Sequence, residues 1–251
     1  MATISATALH GLPEVHAGDD PAQLIAASLR GQDMADDDVL VVAHKLISKA
    51  EGRTRRLSEV EPSERALTLA QRLDKDPRLV QVVLDESREV RRAERAVLIT
   101  VTHHGFVCAN AGVDASNAPD DETVILLPAD PDASARRLRA GLRELIETGP
   151  AVLITDSFGR AWRTGQCDVA IGCAGLTALD DWRGRADARG RELRATVIAV
   201  ADQLAAAADL ARAKDAMQPA ILLRGAGRWV TADDGPGVAP LLRDPEHDLF
   251  R

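Results

Sequence analysis

The stretch at residues 151–175, AVLITDSFGRAWRTGQCDVAIGCAG, does most to limit what this chain can fold into. An apolar run at 151–155 breaks off at Asp156 and Ser157. A turn bearing Gly159, Arg160, Arg163 and Gly165 follows, and a second apolar run covers 169–174. Short apolar runs bounded by glycine and polar residues read as strands, so the middle of the chain is committed to a sheet. Strand ends hold side chains rigidly and are where α/β proteins place binding groups. Asp156 and Ser157 offer a carboxylate and a hydroxyl, both hard oxygen donors suited to a magnesium-type ion. The same pair also reads as an Asx-type turn that stops a strand. On this stretch alone both readings stand.

The flanking sequence mixes strands and helices without a regular βαβ alternation. Residues 38–43 (DVLVVA) form an apolar run expected as a buried strand that delivers His44, Lys45, Ser48 and Lys49 at or beyond its end. Asp20-Pro21 is expected to open a helix that Gly31 closes, Pro62 one reaching about Leu73, Pro77 another, and Asp130 one reaching about Thr148. Thr196 is expected to cap an alanine-rich helix to about Lys214. Residues 96–102 and 219–223 are expected strands, the charged run 86–95 a solvated surface, and 236–251 a mostly polar tail.

Composition removes several classes. With 251 residues the chain has enough length for a substantial core. A net charge of −8 argues against a general nucleic-acid binder, although local arginines can still hold a small anion. No apolar run approaches the roughly 18 residues of a membrane span. Cys108, Cys167 and Cys173 form no CxxC pair, and their spacing with His103 or His104 matches no familiar zinc module. Disulfides are therefore not expected, and no secretory leader is read, which suits a reducing cytoplasm. His103 and His104 are adjacent, so in a strand they point to opposite faces and are expected to be structural. There is no tyrosine; Phe106, Phe158, Trp162 and Trp182 cluster around the glycine-bearing motifs and read as core anchors or as stacking surfaces.

Neither a GxGxxG fingerprint nor a GxxxxGK[ST] loop occurs. Instead, polar groups gather at several strand ends: Lys45 and Lys49, Asp114 and Asn117 in the small-residue segment CANAGVDASN, and Asp156 with Ser157. Asp114 and Asn117 read equally as parts of a turn. Together with Arg160 and Arg163 the set suits a phosphate-and-metal site, in which carboxylates hold divalent ions and basic side chains stabilise phosphoryl charge.

In order along the chain, GLPE (11–14), VVAHKLISKAEGR (41–53), AGVDASN (111–117), ITDSFGRAWRTGQCDVAIGCAG (154–175), ADQLAAAADLARAKD (from 201) and PAILLRG (from 219) resemble the coenzyme F420:L-glutamate ligase family over about residues 10–225. The resemblance implies an α+β fold of mixed sheets with packed helices, one ligase domain over 1–251 with two interwoven subdomains, and a homodimer. It implies a stand-alone ligase without the C-terminal reductase-like domain some members carry. The implied activity is NTP-dependent, generally with GTP, joining L-glutamate to F420-0 through an acyl phosphate and extending a γ-linked chain. Asp114 and Asp156 resemble ligands of one divalent ion (Mg2+ or Mn2+), and Ser157 a ligand of a second. Leu12, Pro13, Glu14, Val15, His44, Lys49 and Asn117 resemble nucleotide contacts, and Arg160 and Arg163 are expected as anion clamps. Potassium is a further implied ion. Two positions depart from the family pattern: His44 replaces a small hydroxyl residue, and Lys214 replaces an acidic or amide ligand of the second metal. The alternatives are a metal-dependent phosphohydrolase or kinase using the same carboxylates, and a nucleotide- or deazaflavin-binding protein without turnover.

Overall fold

The structure, a computed structural model, describes residues 3–29, 32–213, 215 and 217–248. In chain order its elements are β1 (Ser5–Ala8), α1 (Pro21–Ser28), β2 (Val39–Ala43), α2 (His44–Ala50), β3 (Thr54–Arg56), α3 (Glu64–Leu73), α4 (Pro77–Asp85), β4 (Ser87–Glu94), β5 (Val97–Thr102), β6 (Val107–Ala109), β7 (Thr123–Ile125), α5 (Pro131–Ile146), β8 (Ala151–Arg160), β9 (Arg163–Ala174), β10 (Leu179–Asp181), β11 (Val197–Ala199), α6 (Val200–Asp209) and β12 (Ala220–Arg224). The fold is α+β, as expected.

The main sheet runs β1-β12-β2-β8-β9. Only β2 and β8 pair in parallel, and the other ladders are antiparallel. Val39, Leu40, Val41 and Val42 are fully buried, as are Ala151 to Ile154. These two runs carry no alternation because both of their faces are covered. Helix α5 packs against β8, β9 and α1, and α6 packs against β9 and β12. A second hydrophobic cluster gathers Leu57, Ala66, Leu73, Val80, Val83, Leu98, Val124 and Leu126, all from the chain between α2 and α5. That region carries two small sheets, β3-β7 and β4-β5-β6.

Helix starts follow their caps. Asp20, Ser63, Asp76 and Asp130 each accept a hydrogen bond from a first-turn N–H, and proline opens α1, α4 and α5. The expected stop at Gly31 lies outside the described residues. Three expectations are corrected. The run 86–95 is not merely a surface stretch: residues 87–94 form β4, an edge strand whose charged side chains stay largely exposed while Ala93 is buried. Thr196 caps no helix, because β-branched Val197 and Ile198 enter β11, pairing with Asp181 and Asp180; α6 begins only at Val200 and ends at Asp209, short of the expected Lys214. The strand at 151 does not end at Asp156; β8 continues to Arg160 and pairs with β9 around a two-residue tip at Ala161-Trp162. In the tail, Val238 is buried and its N–H donates to Asp132 Oδ1 at 3.1 Å.

Candidate active site

The extended β8–β9 hairpin carries one wall of the site. A register shift between Ile154 and Thr155 marks a bulge immediately before Asp156, a device that re-aims side chains. Alternation then places Thr155 and Ser157 on one face and Asp156 on the other. Asp156 Oδ1 lies 3.4 Å from His44 Nε2 and accepts the Ser157 N–H at 2.8 Å. His44, at the first turn of α2, is buried, and its Nδ1 meets Ser48 Oγ at 3.2 Å. The Nε2–Asp156 approach is close without hydrogen-bond alignment, so it is an electrostatic contact between neighbours.

The opposite wall is the loop after β6. Asp114 accepts the Ser116 N–H at 2.7 Å and the Ser116 hydroxyl at 3.0 Å, an Asx turn. The same carboxylate lies 2.6 Å from Lys45 Nζ, so the turn and site readings describe one object. Gly112 (φ +70°) and Asn117 (φ +57°) both sit in the left-handed region, which glycine and asparagine tolerate better than most residues. Lys49 forms a salt bridge with Glu14. Beside Glu14, Leu12 and Val15 are buried and anchor the segment, leaving Pro13 and Glu14 at the surface.

These groups face one cleft of about 720 Å³. Of the residues expected from sequence, Leu12, Pro13, Glu14, Val15, His44, Lys49, Asp114, Asn117, Asp156 and Ser157 all line it. Arg160 and Arg163 do not. They stand exposed at the hairpin tip, where Arg160 Nη2 donates to the Thr164 carbonyl at 2.9 Å. Lys214 lies outside the described residues. Lys45, expected from the sequence among the strand-end basic groups, lines the cleft as the partner of Asp114, and two residues the sequence did not single out, Asp168 and Arg212, line it as well and pair at 2.7 Å.

Burial, with the nearby Asp156 charge, pushes the Cys108 thiol up to about 12; burial and Asp132 do the same for Cys173. Both are neutral thiols at physiological pH and poor nucleophiles or metal ligands. His103 Nε2 donates to the Asp85 carbonyl at 2.8 Å and His104 Nε2 to that of Pro128 at 2.9 Å, so both serve structure. Phe106 is buried between His104 (ring centroids 5.5 Å apart) and Phe158 (6.2 Å), whereas Trp162 is 79% exposed. Among the described residues, no group of three or more His, Cys, Asp or Glu is placed to hold a metal, and no helix is long and apolar enough to cross a membrane.

The hard-oxygen donors Asp114, Asp156 and Ser157 therefore suit only an ion that takes the rest of its coordination from water or substrate. Mg2+ behaves in this way, commonly using one or two carboxylates plus phosphates. The Lys45 ammonium against Asp114 shows that this carboxylate accepts a cation at the cleft wall.

Comparison with known proteins identifies relatives of this chain. A family model described as F420-0:Gamma-glutamyl ligase matches residues 11–225. The coenzyme F420:L-glutamate ligase of Methanothermobacter thermautotrophicus is 45% identical over 251 residues, covering 99% of both chains. That of Methanopyrus kandleri is 47% identical over 240 residues, covering 95% of this chain and 94% of its own. That of Haloarcula marismortui is 45% identical over 251 residues, covering 97% of this chain and 94% of its own. On these matches, the chain belongs to the F420-0:gamma-glutamyl ligase family.

Proposed function

We propose that this protein is a GTP-dependent coenzyme F420-0:L-glutamate ligase that works through an acyl phosphate and extends a γ-linked glutamate chain. The observation that carries this reading is convergence. The segment 12–15, His44, Lys45 and Lys49 of α2, Asp114 and Asn117, and the segment 155–157, all distant in sequence, line one cleft of about 720 Å³ in a chain of this family.

In the first step a carboxylate oxygen of the precursor attacks the γ-phosphorus of GTP, and GDP leaves. In the second, the glutamate amine attacks the carbonyl carbon of the acyl phosphate, inorganic phosphate leaves, and the amine nitrogen gives up a proton. Among the described residues, Lys45 and Lys49 bring ammonium groups to the cleft, where they pair with Asp114 and Glu14. Phosphate oxygens compete for both and draw them onto the charge that builds up during transfer. Asn117 supplies an amide for the nucleotide, and buried Leu12 and Val15 fix the segment that covers it. A divalent ion held by Asp114 and Asp156, with Ser157 serving a second, would neutralise the phosphate oxygens when bound.

His44 is buried against Asp156, which suits setting the orientation of that carboxylate better than reaching a nucleotide directly. The exposed Arg160 and Arg163 receive no step within the cleft. A homodimer belongs to the same proposal and is tested by light scattering after size exclusion.

Phosphate release measured with GTP, Mn2+ and F420-0 tests the reaction class. The ligase reading expects release only when L-glutamate is added. Release at an unchanged rate without glutamate identifies a hydrolase instead, and nucleotide binding without release identifies a non-catalytic binder.

A further inference from the structure

Asp168 is 1% exposed and belongs to the cleft lining. It is the register partner of Ser157 across the β8–β9 ladder. Its Oδ1 accepts the Ser157 hydroxyl at 2.6 Å; its Oδ2 accepts the Thr155 hydroxyl at 2.9 Å and Arg212 Nη1 at 2.7 Å. A carboxylate buried this deeply is costly unless it is paired and hydrogen-bonded, and a buried ion pair is weak evidence for stability. The value of the arrangement must lie in what it holds in place.

What it holds is an incompletely satisfied arginine. The Arg212 side chain is 9% exposed and lines the cleft. Its Nη1 is taken by Asp168, but Nε and Nη2 are buried and have no hydrogen-bond partner among the described residues. Buried donors left without a partner are costly, and more so when they are charged. Nε and Nη2 form one edge of the guanidinium plane, the fork that matches two oxygens of a carboxylate or a phosphate.

We infer that Arg212 binds an anionic oxygen pair of a substrate through Nε and Nη2, and that Asp168 is the positioning residue that aims both Arg212 and Ser157 into the cleft. This deepens the ligase reading and rests on it for the choice of ligands. The anion comes either from the nucleotide phosphates or from the carboxylate of glutamate, and the two sources are separable.

Calorimetric titrations with GDP, and with L-glutamate in the presence of GDP, test this without requiring turnover. Arg212→Gln should weaken one of the two ligands about tenfold or more. Loss confined to GDP assigns a phosphate, and loss confined to glutamate assigns a carboxylate. Asp168→Asn should weaken the same ligand, and the double variant Asp168→Asn/Arg212→Gln should bind no worse than Arg212→Gln alone, because the two act as one unit. Wild-type affinity for both ligands in Arg212→Gln overturns the inference. So does an Asp168→Asn protein that melts earlier yet binds both ligands normally, which would leave Asp168 a purely structural role. These titrations succeed or fail whether or not the wild type ligates glutamate, so the two readings can fail separately.

Discussion

Lys45 Nζ lies 2.6 Å from Asp114 Oδ2, joining the first turn of α2 to the loop after β6 across the mouth of the cleft. Burial pushes the Asp114 carboxyl up, but hydrogen bonds from Lys45 and Ser116, with the attraction of the ammonium, together carry it below its ordinary 3.8. Lys45→Met should therefore raise the Asp114 value, since burial then acts with less opposition. A depressed carboxylate contributes stability that is present above its unfolded value and is lost as pH falls through its folded one. Any destabilisation of Lys45→Met at neutral pH should thus fade in acid, and it should be small, because Asp114 is 40% exposed and screened by water. A carboxyl-carbon NMR titration reads the shift directly; an unmoved Asp114 would show that Lys45 does not set its charge.

Asp156→Asn removes a charge from the cleft wall while keeping the side chain's shape. Turnover should fall roughly 100-fold or more, with kcat carrying the loss, because charge is lost where phosphoryl transfer is stabilised. The melting midpoint should hardly move. Equal losses of folding and activity would return Asp156 to the role of a strand-terminal turn.

Arg139 is buried in α5, donating to the carbonyls of Pro150 (3.1 Å), Thr231 (2.7 Å) and Asp233 (3.0 Å) and to Asp234 Oδ1 (2.8 Å). It clamps the loop at 231–234 to the body of the protein, far from any proposed chemistry. Arg139→Met leaves those acceptors unpaired and should cost about 3–5 kcal/mol, lowering the midpoint by roughly 6–20 °C at this chain length. Gly175→Ala should weaken the same clamp. Gly175 has φ +71°, and a Cβ there would stand 2.2 Å from the Arg139 guanidinium carbon. Thermal melts decide: an unchanged midpoint in Arg139→Met would mean the clamp is energetically idle.

Asp132 behaves oppositely to Asp114. Burial raises its carboxyl above 3.8, although it accepts the backbone N–H groups of Cys173 and Val238. As pH rises from the unfolded value to the folded one, the unfolded chain loses its proton first, and stability falls over that window. Asp132→Asn keeps an acceptor oxygen and removes the buried charge. It should melt above the wild type at neutral pH, with the difference closing in acid. A lower midpoint at neutral pH would mean that the charged form is needed to hold the tail.

Much of this was legible in the sequence wherever local chemistry decides. Val39 to Val42 announce a strand covered on both faces, and Asp130-Pro131 marks a helix start to the residue. Asp114, Asp156 and Ser157 stand out because polar groups abut apolar runs, and the structure brings all three to one cleft. What local pattern cannot show is which distant groups meet. Asp168 sits within the turn-to-strand passage GQCDVA and looks like an ordinary polar strand residue. Only the β8–β9 register opposes it to Ser157, and only the return of the chain after α6 brings Arg212 to it. A single charged residue next to a run of buried small ones was the available signal. Arg160 and Arg163 suit anion clamps in the sequence because the expected substrates are anionic, but β8 runs on past Ser157 and carries them outward to the hairpin tip. The alanine-rich helix was overextended at its start because β-branched Val197 and Ile198 favour the ladder with β10.

The most direct test of the ligase reading is the mass of the product formed when the protein is incubated with F420-0, GTP, Mn2+ and L-glutamate. Deazaflavin species heavier than F420-0 by one or more glutamyl residues are expected, absent when GTP or glutamate is withheld and absent with Asp156→Asn. An F420-0 mass that never shifts while GTP is consumed would contradict the ligase reading.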